Sequence, residues 1–263
     1  MRRSFILVAA LVAACQSAPI SRERIAQIVD SPDRSAADRT NDQRRKPEQM
    51  LGFIGVREGM QVMDLSAGGG YTTELLARAV GPAGKVYGQS PPPDANRPKP
   101  AAPEGGAAPS APAPRLTSAQ RLAERAKNPN AGNFVAVVRP FEDPAPPEVA
   151  GSLDLVTLMF NYHDLGYLGV DRARMNRAVF AALKPGGMYV LADHSGRPGT
   201  GISEGGTLHR VEETLVRQEI EAAGFKLAEE GDFLRNPNDP RDRNTPEPPM
   251  PKDEFVLKFV KPR

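Results

Sequence analysis

Cysteine is nearly absent from this 263-residue chain, with Cys15 the only one. A single thiol excludes an intramolecular disulfide and every cysteine spacing that holds structural zinc. An excess of charge of one sign is missing as well. Lys and Arg number 34 against 32 Asp and Glu, interspersed for a formal net charge of +2. That balance gives no basic patch, so no nucleic-acid partner is expected. Long apolar runs are lacking too: Phe5 to Ala14 is too short to span a bilayer comfortably. Histidine is scarce, at three residues, so the place of each one is informative. What is present is apolar material for a packed core, 40% of residues. The length suits one α/β domain or two small ones.

Arg2 and Arg3 precede the short apolar run, the layout of a secretory signal. Val12-Ala13-Ala14-Cys15 resembles the lipobox of a bacterial lipoprotein, which implies cleavage before Cys15 and lipidation of its thiol. The expected location is the cell envelope, facing the periplasm, with membrane contact only through the lipid at Cys15. If the signal is not used, the protein stays cytoplasmic. Residues 16–41 are polar and read as a flexible tether, and residues 42–263 as the folded domain.

Within that domain strands and helices alternate. A helix is expected around Pro47, Met50, Leu51 and Ile54, and Gln61 to Leu65 reads as a short buried strand. Thr72 to Val80 reads as a helix closed by Gly81, and Lys85 to Gly88 as a second strand. Ser90 to Arg115 is rich in proline and alanine with no apolar period, and reads as a disordered surface insertion. Further strands are expected at Phe134–Val138, Leu153–Phe160, Met188–Ala192, Phe225–Ala228 and Phe255–Val260. Met175, Ala178, Val179, Ala182 and Leu183 mark a helix capped by Asp171, and another helix is expected from about Thr207 to Ala223. The pattern is a doubly wound, mostly parallel α/β sheet of seven strands.

The stretch VMDLSAGGGYTTELLA, Val62 to Ala77, carries the functional signal. The first strand-to-helix turn of such a sheet lies at its ligand-binding edge, where glycines let backbone N–H groups approach a ligand. Gly68, Gly69 and Gly70 lack the G-x-G-x-x-G spacing of a dinucleotide site, so a nicotinamide oxidoreductase, a third reading, loses on glycine spacing. With Asp64 at the strand's end, the stretch resembles the class I methyltransferases that use S-adenosyl-L-methionine (AdoMet). RKPEQML, DLVTLMFNYHDL, MNRAVFAALKPGGMYVLADHS, TLHR and FLRNPNDPRD extend the likeness to a group of bacterial methyltransferases with an N-terminal signal, over about residues 42–261. The resemblance implies the Rossmann-like methyltransferase fold, with an antiparallel last strand and AdoMet as cofactor. It also implies cofactor contacts from Asp64, Ser66, Ala67, Gly68, Gly70, Gln89 and Glu142. Ser66 replaces the usual first glycine. Gln89 stands where an acid normally takes the ribose hydroxyls, which makes that contact uncharged.

Methyl transfer needs an aligned nucleophile and sometimes a base. His163 in NYHDL, His194 in ADHS and His209 in TLHR all fall near strand ends or a helix start at the same edge. His163, His194 and Asp193 are the expected catalytic group, with one histidine as base. Tyr162, Asp164, His209 and Arg235 are the expected contacts of a small-molecule substrate. A divalent ion also suits imidazoles and carboxylates, though the pattern assigns no metal. No protein partner is implied. A different class stays open: an envelope lipoprotein that binds a ligand on this fold without catalysis.

Overall fold

The computed structural model describes residues 18–94, 96, 116–246 and 249–263. The signal sequence, Cys15 and most of the proline- and alanine-rich stretch lie outside the described residues. Chain order is α1 (Arg22–Val29), α2 (Ala36–Arg45), α3 (Pro47–Ile54), β1 (Gln61–Leu65), α4 (Tyr71–Val80), β2 (Lys85–Ser90), α5 (Ser118–Arg125) and β3 (Phe134–Val138). It continues with β4 (Leu153–Met159), α6 (Asp164–Tyr167), α7 (Arg172–Ala182), β5 (Leu183–His194), α8 (Glu213–Ala222), β6 (Lys226–Gly231) and β7 (Glu254–Val260).

The seven strands form one sheet in the order β3-β2-β1-β4-β5-β7-β6. β1 pairs in parallel with both β2 and β4, while β7 runs antiparallel between β5 and β6. The chain steps outward from β1 to β3, then returns to the other side of β1 to build β4. That reversal opens a crevice at the carboxyl ends of β1 and β4, where doubly wound sheets take ligands.

Side chains along β1 alternate between two layers. Val62 packs into a core with α1, α3 and α4, whereas Met63 and Leu65 face α7 and α8 on the other side. Both faces of the central strands are therefore covered, which explains their near-continuous apolar character, while β3 and β6 at the edges stay largely exposed.

Three expectations need correction. Residues 16–41 are not a tether throughout, because Ser21 caps α1 and its Ile25, Ile28 and Val29 are buried against α3 and α4. α2 follows with Ser35 as its cap and is polar on nearly all sides. Polar contacts hold it: Arg34 forks onto Asp42, and Arg125 onto Asp38. The helix expected from Thr207 starts only at Glu213, since residues 196–210 fold as turns with His209 left-handed (φ 52°). β5 runs to His194, so Asp193 and His194 belong to the strand instead of following it. Among the described residues no helix is long and apolar enough to cross a membrane.

Candidate active site

The turn after β1 is left-handed at three of five residues, with φ of 58° at Ser66, 58° at Gly68 and 86° at Gly70. Two glycines adopt this without cost, whereas serine is strained there. The strain is held by neighbours. The Ser66 N–H donates to Gln89 Oε1 at 2.9 Å, its hydroxyl donates to Asn161 Oδ1 at 2.5 Å, and the Ala67 N–H donates to the Gln89 carbonyl.

The two left-handed glycines serve different ends. A Cβ at Gly68 would meet nothing nearer than the Ser66 carbonyl at 4.0 Å, so its backbone is open to a ligand. At Gly70 a Cβ would strike Leu122 at 2.7 Å and Arg125 at 2.9 Å. Gly70 is a packing position against α5, which corrects its expected cofactor role.

Above the turn lies a cavity of about 880 Å³. Asp64, Ser66, Ala67, Gly68 and Gly69 line its sheet side, Ser90 to Asp94 and Phe141 one end, and Asn161, Asp164, Tyr167 and Leu168 another. α2 and α5 complete it through Asp38, Asn41, Arg45, Thr117 and Arg125. Sequence reading missed this second wall, along with Ser90 and Phe141.

Asp64 is fully buried beneath the cavity and takes the hydroxyls of Thr73 (2.6 Å) and Thr157 (2.8 Å). Burial pushes its carboxyl up to about 6, against the two hydroxyls and the nearby Arg45 charge. The Arg45 guanidinium stacks over Phe160 (4.6 Å) and Tyr71 (5.2 Å), and its Nε has no hydrogen-bond partner. Phe160 is itself left-handed (φ 59°) at the end of β4, so strained backbone flanks the crevice on both strands.

Gln89 does not reach the cavity. It is fully buried, with Oε1 taken by Ser66 and Nε2 donating to the Arg139 carbonyl at 2.5 Å. The next residue, Ser90, lines the cavity, and its buried hydroxyl has no partner. Glu142 also misses, accepting the Asp171 N–H at 3.2 Å, while its neighbour Phe141 faces the cavity.

The histidines converge as expected. Ring centroids of His163 lie 5.4 Å from those of both His194 and His209. Yet none of the three lines the cavity; Asp164 does. His163 is buried with Nδ1 2.6 Å from Asp193 and Nε2 3.1 Å from Asp164. Burial disfavours charge on the ring, but the two carboxylates override it and push His163 up to about 10. An imidazolium clamped in this way cannot act as the expected base. Asp193 is fully buried, yet the His163 charge holds its carboxyl below the usual range.

Burial lowers His194 well below the ordinary histidine value and keeps it neutral. Its Nδ1 lies 2.9 Å from Glu254, at an angle that makes no hydrogen bond. Burial likewise raises Glu254 to about 7. Burial and the His163 charge lower half-exposed His209. Burial opposes charge on Asp164 as well, but the His163 proton keeps that carboxyl ionised.

Tyr162 and Arg235 fall away as substrate contacts. Tyr162 is fully buried, its hydroxyl donating to Glu219 at 2.6 Å. Arg235 is spent on Glu213 and Asp253, away from the cavity.

No family model and no curated protein matches the sequence. Solved structures do. An AdoMet-dependent methyltransferase from Aquifex aeolicus superposes with a TM-score of 0.57 at 16% identity, over 92% of this chain and 99% of that one. The YcgJ protein of Bacillus subtilis gives 0.54 at 14% identity, over 82% and 97%. With the strand order and the antiparallel β7, these likenesses show that the chain has the Rossmann-like methyltransferase fold.

Proposed function

We propose that this protein is an AdoMet-dependent methyltransferase acting on a small molecule. One observation carries the reading: the cavity at the β1–β4 reversal has an open glycine backbone on one side and a buried carboxyl beneath it. The residues present suit that cofactor. Asp64 would hold its ammonium group, and a cation there offsets the burial that raises this carboxyl. The partnerless Arg45 Nε suits its carboxylate, and the partnerless Ser90 hydroxyl a ribose hydroxyl. Phe141, Met159 and Leu168 supply apolar lining for a purine. When bound, the cofactor supplies a sulfonium methyl group open to in-line displacement.

The chain's own task is then alignment. Its acceptor end is the edge where Asp164 and Tyr167 meet the cavity. An ionised Asp164 can accept a hydrogen bond from an acceptor O–H or N–H and so orient it. The His163 imidazolium fixes Asp164 and Asp193, which makes it a positioning residue. A volume of about 880 Å³ leaves room for a small acceptor beside the cofactor.

Calorimetric titration of the purified protein with AdoMet, and with its demethylated product, tests the reading. Binding of both is expected. Gly68→Val, which puts a branched side chain on a left-handed, cavity-facing residue, should remove it while leaving the far-ultraviolet circular dichroism intact. No heat and no thermal stabilisation at millimolar AdoMet would sink the proposal.

Anchoring at Cys15 belongs to the same reading. Residues 16–21 alone separate that thiol from α1, a reach of about 20 Å, so the domain would lie close to the membrane surface. Cys15→Ser should move the protein out of the membrane fraction. A wild-type chain already soluble with an intact N-terminus overturns the anchor.

A further inference from the structure

His163, Asp164 and His209 come together from two separate parts of the chain: the β4–α6 junction and the turn before α8. Their nearest ligand atoms all lie within 4.8 Å of one another. Asp164 Oδ1 sits at the centre, 3.1 Å from His163 Nε2 and 3.5 Å from His209 Nδ1. Two donors bound to one ion at about 2.1 Å stand about 3.0 Å apart in octahedral and 3.4 Å in tetrahedral geometry. Both measured edges match that range. The third edge, between the rings, lies within 4.8 Å, and binding would draw the partly exposed His209 side chain inward.

Three further features are those of a ligand set. Asp164 Oδ1 is buried and takes no well-directed hydrogen bond, although its other oxygen accepts from Asn161 at 2.5 Å. In the ion-free protein the His163 charge stands beside this oxygen, and an ion between the three side chains would take over that role. Behind the cluster, Asp193 grips His163 Nδ1 at 2.6 Å and takes the His163 backbone N–H at 2.8 Å. With Asp193 holding the Nδ1 proton, an arriving ion displaces the Nε2 proton of the imidazolium and takes that nitrogen as its donor. His209 is held left-handed (φ 52°), a conformation that histidine adopts at a cost, and this presents its ring to the same point.

We propose that His163, Asp164 and His209 form a binding site for one divalent first-row transition ion, with Asp193 as the carboxylate behind it. Two imidazoles and one carboxylate leave coordination positions free. Asp164, the carboxylate between the two rings, also lines the end of the cavity assigned to the acceptor. An ion there would hold an acceptor oxygen or nitrogen as a Lewis acid. Binding itself is independent of methyl transfer, so the site can stand or fall apart from the proposed activity.

The test is metal binding by untagged full-length protein carrying Cys15→Ser, which removes the only thiol. After chelator treatment the protein is titrated with Co²⁺, followed by its visible absorbance, and then with Zn²⁺ as competitor. One Co²⁺ per chain is expected, with bands distinct from the aquo ion that Zn²⁺ abolishes. His209→Ala, at a half-exposed turn position, should keep the fold by circular dichroism and weaken binding at least tenfold. Asp193→Asn should weaken it about tenfold to a hundredfold. An aquo-type spectrum at millimolar Co²⁺ overturns the proposal. So does undiminished binding by a folded His209→Ala variant, which would place the ion elsewhere.

Discussion

Replacing Asp64 by asparagine should stabilise the unliganded protein while removing cofactor binding. The carboxyl is fully buried and its pKa stands near 6 instead of 3.8, chiefly because burial disfavours its charge. The sign follows from proton counting. Between pH 3.8 and 6 the folded chain holds a proton on this group that the unfolded chain has lost, so stability falls as pH rises through that window. At pH 7 the ionised carboxylate therefore costs the folded state about 3 kcal/mol. Asparagine has the same shape and no charge. It can accept a hydrogen bond from one of the Thr73 and Thr157 hydroxyls and donate to the other. Imperfect amide geometry returns part of the gain, leaving about 1–3 kcal/mol.

For a chain of this size each kcal/mol moves the melting temperature by about 2–4 °C. Melting curves of wild type and Asp64→Asn should thus differ by several degrees at pH 7, draw closer as pH falls through 6, and converge only below about pH 3.8, where Asp64 is protonated in both states. Addition of AdoMet should raise the wild-type curve at pH 7 and leave the variant unmoved. A variant that melts lower than wild type at pH 7, or a gap that is the same at pH 7 and below about pH 3.8, would refute the burial argument.

Ser66→Gly removes left-handed strain but also the hydroxyl bond to Asn161, so stability should change by less than about 1 kcal/mol while AdoMet affinity rises, as calorimetry would show. Arg125→Ala should cost about 2 kcal/mol, because Asp38 loses its cation and Glu74 keeps only Arg78. Hydrogen exchange should show that loss in α2 and α5, with β1 and β4 unchanged.

The central strands were legible because they are buried on both faces, and a run such as Leu153 to Met159 has little other use. The glycine turn was legible for a similar reason, since backbone demand at Gly68 leaves few alternatives. Failures came where one residue or one distant partner decides. Gln89 and Ser90 adjoin at the end of β2, and strand alternation sends one inward and the other to the cavity. A one-residue difference in where the strand meets the ligand edge reverses their roles. The histidine cluster followed from neighbouring strand ends, but its protonation did not. That depends on Asp193 and Asp164 closing on both ring nitrogens of His163, which only coordinates reveal. α2 was missed because its stability has no apolar period to read. Its partners, Tyr71 and Arg125, lie far along the chain.

That last miss bears on function, because the two walls of the cavity are held by different forces. The sheet wall is set by parallel ladders and by a turn whose strain Gln89 and Asn161 contain. It should be nearly as rigid as the core. The opposite wall rests on α2, whose one fully enclosed side chain is the charged Asp38, and on α5, which buries only Leu122. Ion pairs tie the two together and to the body: Arg125 of α5 holds Asp38 of α2 and Glu74 of α4, Arg34 holds Asp42, and Arg44 reaches Glu254 of β7, with the Tyr71 hydroxyl on Asp42. Such contacts break one at a time and leave groups that water can take up, whereas an apolar face must separate as a whole. Local opening is therefore cheapest on this side. The proposed cofactor would enter there, while the residues proposed to align it stay on the sheet.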